Sequence, residues 1–196
     1  MQARAVFLDK DGTLVEDVPY NVDVTRLRWL PGAVTGMQRL HAAGFRLIVV
    51  SNQSGVARGY FGEESLALLA EYMRGALANH SVPLTGFYYC PHHPDGSDAR
   101  YAHDCSCRKP QPGLILRAAK EHDLDLHKSW VVGNAGHDIE AGRRAGCRTI
   151  LVSNGDPTET FNSPSDTPHY VSSDLIHVAA IITAGVAAAQ SETTHR

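Results

Sequence analysis

Two carboxylates, Asp9 and Asp11, stand on alternate residues directly after a short apolar run, and Gly12 and Thr13 follow them. An apolar run closed by a turn signal predicts a buried strand, and alternate residues of a strand point to the same side. Two converging carboxylates are costly unless a cation or a proton lies between them. The pattern predicts a metal site at the end of a strand, although a polar turn after a strand would give the same short pattern.

Three more groups of polar residues lie in loops that are expected at the same edge of the fold. They are Ser51 with Asn52, Arg108 with Lys109, and Asn134 with Asp138. With the two carboxylates they supply a nucleophile, hydroxyl and amide donors, a cationic pair and oxygen ligands for a hard cation such as Mg²⁺. Because phosphoryl transfer mainly needs positioning and charge neutralisation from the protein, this set predicts phosphoryl-transfer chemistry.

A second cluster has the residue types of a zinc site. Its candidate ligands are Cys90, His92, Cys105 and Cys107. Three thiolates and one imidazole suffice for tetrahedral Zn²⁺, and a closed site with four protein ligands is structural. The loop between them has no apolar run, so we expect a metal to fold it. His93 and His103 are competing candidates for the imidazole ligand.

The elements that must position these residues follow from the apolar pattern. Strands are predicted at residues 4–8, 45–50, 86–89, 130–133 and 149–152. Helices are predicted at residues 31–43, 62–79, 112–122, 139–145 and 173–189, with a loop at 156–168. Strands that alternate with helices predict an α/β fold with a Rossmann-like parallel sheet covered on both faces. We expect one domain over residues 1–189, with the zinc loop at 90–107 and a disordered tail at 190–196.

Composition narrows the possible partners of this chain of 196 residues. Lys and Arg number 18 against 21 Asp and Glu, and no basic run favours nucleic acid or a membrane surface. No leader-like segment and no apolar run of membrane-spanning length is present. These features predict a cytoplasmic, monomeric protein that acts on a small molecule.

Four motifs resemble those of the haloacid dehalogenase superfamily of phosphatases, in the family order. They are DKDGT at 9–13, SNQSG at 51–55, RKP at 108–110 and GNAGHD at 133–138. The resemblance implies that Asp9 is the nucleophile and a Mg²⁺ ligand. It makes Asp11 the general acid and base, with its main-chain carbonyl on the metal. Ser51 and Lys109 would hold the phosphoryl group, in a sheet of strand order 5-4-1-2-3 without a large cap.

The chain departs from this family at Asn134, where an aspartate usually binds Mg²⁺ directly. An amide oxygen can coordinate Mg²⁺ but brings no charge, so we expect weaker metal binding, with Asp138 as the remaining anion of that loop. The departure also leaves open a different class of function, a catalytically impaired protein that binds a sugar phosphate or serves as a scaffold.

The motifs YCPHHP at 89–94 and CRKP at 107–110 resemble those of a subfamily of these phosphatases acting on heptose 1,7-bisphosphate or histidinol phosphate. The first substrate implies Mg²⁺-dependent removal of the 7-phosphate through an aspartyl-phosphate, in building the heptose of bacterial surface polysaccharide. The resemblance assigns substrate contacts to Asp17, Tyr20, Asn52, Gln53, Ser54 and Arg108. Arg58, nearby in the same loop, is either part of this substrate contact or a solvated side chain, and we favour the solvated side chain.

Overall fold

The computed structural model describes residues 2–153 and 167–193 of the chain. The strands are β1 (Ala5–Leu8), β2 (Arg46–Asn52), β3 (Leu84–Cys90), β4 (Trp130–Gly133), β5 (Arg148–Val152) and β6 (Tyr170–Ser172). The α-helices are α1 (Ala33–Ala42), α2 (Glu63–Ala78), α3 (Gly113–His122), α4 (Gly136–Arg144) and α5 (Leu175–Thr193). Short 3₁₀ turns lie at Val24–Arg26 and Leu126–Lys128.

The strands form one parallel sheet in the order β3-β2-β1-β4-β5-β6. The predicted Rossmann-like α/β class is therefore confirmed, and the predicted order of the first five strands is correct. The sequence prediction missed β6, which has only three residues, because Tyr170 and Val171 are exposed and give no apolar run. None of the described helices combines the length and apolarity needed to cross a bilayer.

Alternate residues of β1 pack into two separate hydrophobic clusters. Val6 and Leu8 belong to the cluster built with α1, α2 and α5, whereas Ala5 and Phe7 belong to the cluster built with α3 and α4. All four side chains are fully buried. Burying a large apolar side chain contributes about 1.5–3 kcal/mol, so the two layers fix β1 in the middle of the fold. This central strand delivers Asp9 to the edge of the sheet.

Two element boundaries differ from those predicted by three residues or more. Helix α4 starts at Gly136 and not at residue 139, because the Asp138 carboxylate accepts a hydrogen bond from the Ala135 amide and caps the first turn. Helix α5 continues to Thr193, so residues 190–193 of the predicted disordered tail are helical. Residues 194–196 and most of the predicted loop at 156–168 lie outside the described residues.

Candidate active site

The loops that follow β1, β2 and β4 meet around one cavity of about 380 Å³. These strands are neighbours in a parallel sheet, so their carboxyl ends open at the same edge. Most of the predicted site residues line the cavity: Asp9, Asp11, Asp17, Tyr20, Ser51, Asn52, Gln53, Ser54, Arg108 and Asn134. The sequence prediction missed other lining residues: Val18, Pro19, Asn21, Gly55, Ala135 and His137.

Lys109 lies beneath the cavity floor in a network of buried charges. Its Nζ is 2.5 Å from Asp9 Oδ1 and 2.6 Å from Asp138 Oδ1, and it donates to the Val50 carbonyl at 2.9 Å. The side chains of Lys109 and Asp138 are each 1% exposed. Burial would lower the pKa of Lys109, but the carboxylates of Asp138 and Asp9 outweigh it and raise that pKa, so the ammonium stays charged.

Asp9 experiences opposing influences from the same surroundings. Burial raises the pKa of its carboxyl to about 7, and this effect exceeds the lowering by the Lys109 ammonium. The nearby charge of Asp138 raises the pKa of Asp9 further. A cation in the cavity would favour the ionised form of Asp9.

Asp138, which the sequence predicts as a Mg²⁺ ligand, contacts two protein groups. One carboxylate oxygen pairs with Lys109 as an ion pair without well-aligned hydrogen-bond geometry. The other oxygen accepts from the Ala135 amide at 3.2 Å. Asp138 is fully buried and does not line the cavity, because it packs under Gly133. It therefore holds Lys109 and the start of α4.

Asp11 is fixed by two side chains that approach it from different directions. Lys10 Nζ lies 2.5 Å from Asp11 Oδ1, and Gln53 Nε2 donates to Asp11 Oδ2 at 3.0 Å. The same Gln53 nitrogen is 2.8 Å from Ser51 Oγ, so Gln53 links two predicted catalytic residues. Lys10 is only 2% exposed and was not predicted as a site residue. Its position between two aspartates was the available signal.

Asn134 lies against the turn after β1. Its Oδ1 accepts a hydrogen bond from Thr13 Oγ1 at 3.2 Å, and its amide packs on Gly12. Gly12 has φ 73°, and a Cβ there would strike the Asn134 side chain, so both conformation and space require glycine. Because a carbonyl oxygen has two acceptor positions, Asn134 Oδ1 can still face a cation. Asp9 and Asn134 thus offer the hard oxygen donors that Mg²⁺ prefers.

The sequence-predicted zinc ligands come together as one cluster. The ligand atoms of Cys90, His92, Cys105 and Cys107 all lie within 4.8 Å of one another. Cys107 Sγ is 3.2 Å from Cys90 Sγ and 3.1 Å from Cys105 Sγ, and His92 Nδ1 is 3.3 Å from Cys107 Sγ. The hydrogen bond between the two thiols lowers the pKa of Cys107 and raises the pKa of Cys90.

Two histidines that competed for the metal position lie beside this cluster. The centre of the His103 ring lies 4.4 Å from that of the His92 ring, with the two ring planes tilted by 47°, and His93 accepts a hydrogen bond from the Asp95 amide. Arg58 is partly buried, with Nη2 3.4 Å from His93 Nε2, so the expectation of a solvated Arg58 is wrong. Its Nε is buried and has no hydrogen-bond partner among the described residues.

The cluster is joined directly to the active-site cations. The Arg108 amide donates to Cys105 Sγ at 3.3 Å, and Arg108 Nη1 donates to the His92 carbonyl at 3.3 Å. The next peptide, at Lys109, is held by the Asn52 side chain and precedes a cis bond to Pro110. A metal that orders the four ligands would therefore also order Arg108 and Lys109, the two cationic residues of the site.

Comparison with known families and proteins gives concordant matches. A family model described as HAD-hydrolase-like matches residues 106–178. A D-glycero-beta-D-manno-heptose-1,7-bisphosphate 7-phosphatase of Pasteurella multocida is 44% identical over 155 residues, 79% of this chain and 84% of that protein. The Escherichia coli K12 protein of that name is 42% identical, covering 78% of this chain and 81% of its own length. A D-glycero-alpha-D-manno-heptose-1,7-bisphosphate 7-phosphatase of Photorhabdus laumondii is 36% identical, covering 79% and 85%.

Solved structures show the same fold. The D,D-heptose 1,7-bisphosphate phosphatase of B. bronchiseptica, complexed with magnesium and phosphate, aligns with a TM-score of 0.79 and 32% identity. That alignment covers 93% of this chain and 99% of the other. The corresponding phosphatase of Burkholderia thailandensis aligns with a TM-score of 0.65 and 27% identity, covering 92% and 98%.

Proposed function

Because the chain belongs to the haloacid dehalogenase-like hydrolases, we propose that it is a phosphatase that removes the 7-phosphate of D-glycero-D-manno-heptose 1,7-bisphosphate. The observation that carries this proposal is the meeting of Asp9, Asp11, Ser51 and Lys109 at one end of the sheet, with the cysteine and histidine cluster joined to Arg108. Relatives that are 42–44% identical to this chain carry that enzyme name.

The first half of the reaction transfers the phosphoryl group to the protein. An oxygen of the Asp9 carboxylate attacks phosphorus, and the bond between phosphorus and the sugar O7 breaks. Asp11, held by Lys10 and Gln53, gives its proton to O7 as it leaves. Lys109 pairs with Asp9 in the resting protein and neutralises charge on the transferring group.

The second half releases phosphate and restores the protein. Asp11, now a carboxylate, takes a proton from a water molecule, whose oxygen attacks the phosphorus of the Asp9 acyl phosphate. The bond between phosphorus and the Asp9 oxygen then breaks, and inorganic phosphate leaves. Ser51, which is 1% exposed and hydrogen-bonded to Gln53, donates to the phosphoryl oxygens in both steps.

The donor set around the cavity fits Mg²⁺. Asp9, the Asn134 amide oxygen and the main-chain carbonyl of Asp11 would hold the ion together with substrate oxygens. Bound Mg²⁺ supplies charge neutralisation for the phosphoryl group. Asn134 would contribute no charge, so Asp9 would be the only carboxylate in this donor set, whereas an aspartate at position 134 would supply a second.

The cysteine and histidine cluster fits a structural Zn²⁺. Cys90, His92, Cys105 and Cys107 supply four ligand atoms and leave no open position, which is the donor set of a structural site. The metal would fix the loop that carries Arg108 and Lys109.

The cavity is suited to a small polar substrate. Its volume of about 380 Å³ lies in the range of small-molecule sites. Arg108 lines the wall next to the zinc loop, where it would bind the distal 1-phosphate. Asp17, Tyr20 and Ser54 line the cavity and would contact the sugar. A monomeric state and a cytoplasmic location stay predictions from the sequence.

A substrate panel tests the proposal. Initial rates of phosphate release would be compared for the alpha and beta heptose 1,7-bisphosphates, histidinol phosphate and p-nitrophenyl phosphate. We expect kcat/KM to be highest for a heptose bisphosphate, with the beta anomer preferred, since relatives named for it share 41–44% identity against 36% for the alpha enzyme. Preference for histidinol phosphate, or no turnover of any ester, would contradict the proposal.

A further inference from the structure

The two ends of the Asn52 side-chain amide bond the two main-chain polar groups of a single residue, Lys109. Asn52 Nδ2 donates to the Lys109 carbonyl at 3.1 Å, and its Oδ1 accepts from the Lys109 amide at 3.0 Å. Asn52 is the last residue of β2, and Lys109 lies 57 residues further along the chain. The two hydrogen bonds fix the position and the orientation of the Lys109 main chain.

The Lys109 peptide lies outside regular structure, between the metal-ligand cluster and α3. In the ranges 2–153 and 167–193, no other hydrogen bond to the main chain of Lys109 is found. The flanking residue Arg108 donates its amide to Cys105 Sγ, so the segment is held from the other side by the cluster. Asn52 therefore holds the main chain of this segment to the sheet.

The ammonium at the end of this side chain needs accurate placement. Lys109 Nζ contacts oxygens from three elements, namely Asp9 after β1, Val50 in β2 and Asp138 in α4. A lysine has a flexible four-carbon stem, so its ammonium is fixed only if its main chain is fixed too. A small shift of the Lys109 peptide would move Nζ out of this arrangement, and misplacement by about 1 Å can cost about 10²-fold in rate.

We propose that Asn52 is a positioning residue that acts through Lys109, and not the substrate ligand that the sequence predicts. Asn52 sets where the ammonium meets the transferring phosphoryl group, and it couples the loop after β2 to the metal-ligand loop. The inference rests on the proposed function in one respect, the binding of the phosphoryl group by Lys109.

Inorganic phosphate is the probe that separates the two roles. Its affinity would be measured by titration calorimetry in Mg²⁺ buffer for the wild type, Asn52→Ala, Lys109→Gln and the double variant. We expect Asn52→Ala to weaken phosphate binding about 10-fold in the wild-type background and to have almost no further effect once Lys109 is replaced. A direct contact between Asn52 and phosphate would instead give the same loss in both backgrounds, and that result would overturn the proposal.

A matched control lies two residues along the same loop. Ser54 lines the cavity, and no hydrogen bond joins it to Lys109 within the described part of the chain. The effect of Ser54→Ala on phosphate affinity should therefore be equal with and without Lys109.

Folding and function are monitored separately. Far-UV circular dichroism and zinc content would show that each variant is folded at the temperature of the titration. If Lys109→Gln leaves phosphate affinity unchanged, both the inference and the proposed part of Lys109 fail. If no heptose bisphosphate is hydrolysed but the cycle shows coupling, the proposed substrate fails and the inference stands.

Discussion

Replacing Lys109 by methionine should strongly destabilise the protein. The substitution keeps most of the apolar stem but removes the ammonium that pairs with Asp9 and Asp138. Both carboxylates lie in a region where side chains are 10% exposed or less. Removing one partner of a buried ion pair costs about 3–5 kcal/mol, because an uncompensated charge remains. For a chain of this size, about 2–4 °C of Tm is lost per kcal/mol, which predicts a fall of about 6–20 °C.

The assay is urea unfolding and calorimetry of the wild type and Lys109→Met at pH 7 without added metal. A second variant, Lys109→Met with Asp138→Asn, removes one of the two orphaned charges and should recover part of the lost stability. Arg117→Met, which breaks an exposed pair with Glu121, is the control and should change stability by less than about 1 kcal/mol. A Lys109→Met protein as stable as the wild type would show that Asp9 and Asp138 do not depend on the Lys109 ammonium for their burial.

Three further predictions concern the metal sites and the sheet edge. Asn134→Asp adds a carboxylate beside Asp9 and should raise Mg²⁺ affinity at least about 10-fold by calorimetry; unchanged affinity would contradict the expected ligand role. Cys105→Ser should abolish stoichiometric zinc in metal analysis of purified protein, and full zinc content would exclude the proposed site. The His169 ring accepts from the Thr149 amide, and burial lowers the pKa of His169. This stabilisation is complete above the unfolded pKa of about 6.5 and decreases as the pH falls, so His169→Gln should lose less stability than the wild type between pH 8 and 5.

The sequence predicted most of the fold because the strands of a parallel sheet are buried on both faces. Apolar runs such as that of β1, each followed by a segment with helical spacing of apolar residues, locate the strands. The family resemblance then supplies the order of the strands in the sheet. Strand β6 has no apolar run, because Tyr170 and Val171 are exposed to solvent. Its pairing with β5 defines it as a strand. The start of α4 depends on a cap by Asp138, which sequence reasoning had assigned to a metal.

The composition of the site was predictable, but the partners within it were not. Motif spacing correctly brought Asp9, Asp11 and Ser51 to one cavity. It could not show that the Gln53 amide donates to Asp11 and Ser51, or that Asn52 bonds the main chain of Lys109, 57 residues further along the chain. These contacts depend on side-chain directions set by tertiary packing, which no local pattern encodes.

The proposed function is tested most directly by measuring which phosphate the substrate loses. Heptose 1,7-bisphosphate would be incubated with the protein and Mg²⁺ and followed by ³¹P nuclear magnetic resonance, beside Asp9→Asn as a folded control. With the wild type, we expect the signal of the 7-phosphate to disappear, the signal of the 1-phosphate to persist and inorganic phosphate to appear. With Asp9→Asn, we expect no inorganic phosphate. Loss of the 1-phosphate, or equal turnover by Asp9→Asn, would contradict the proposed function.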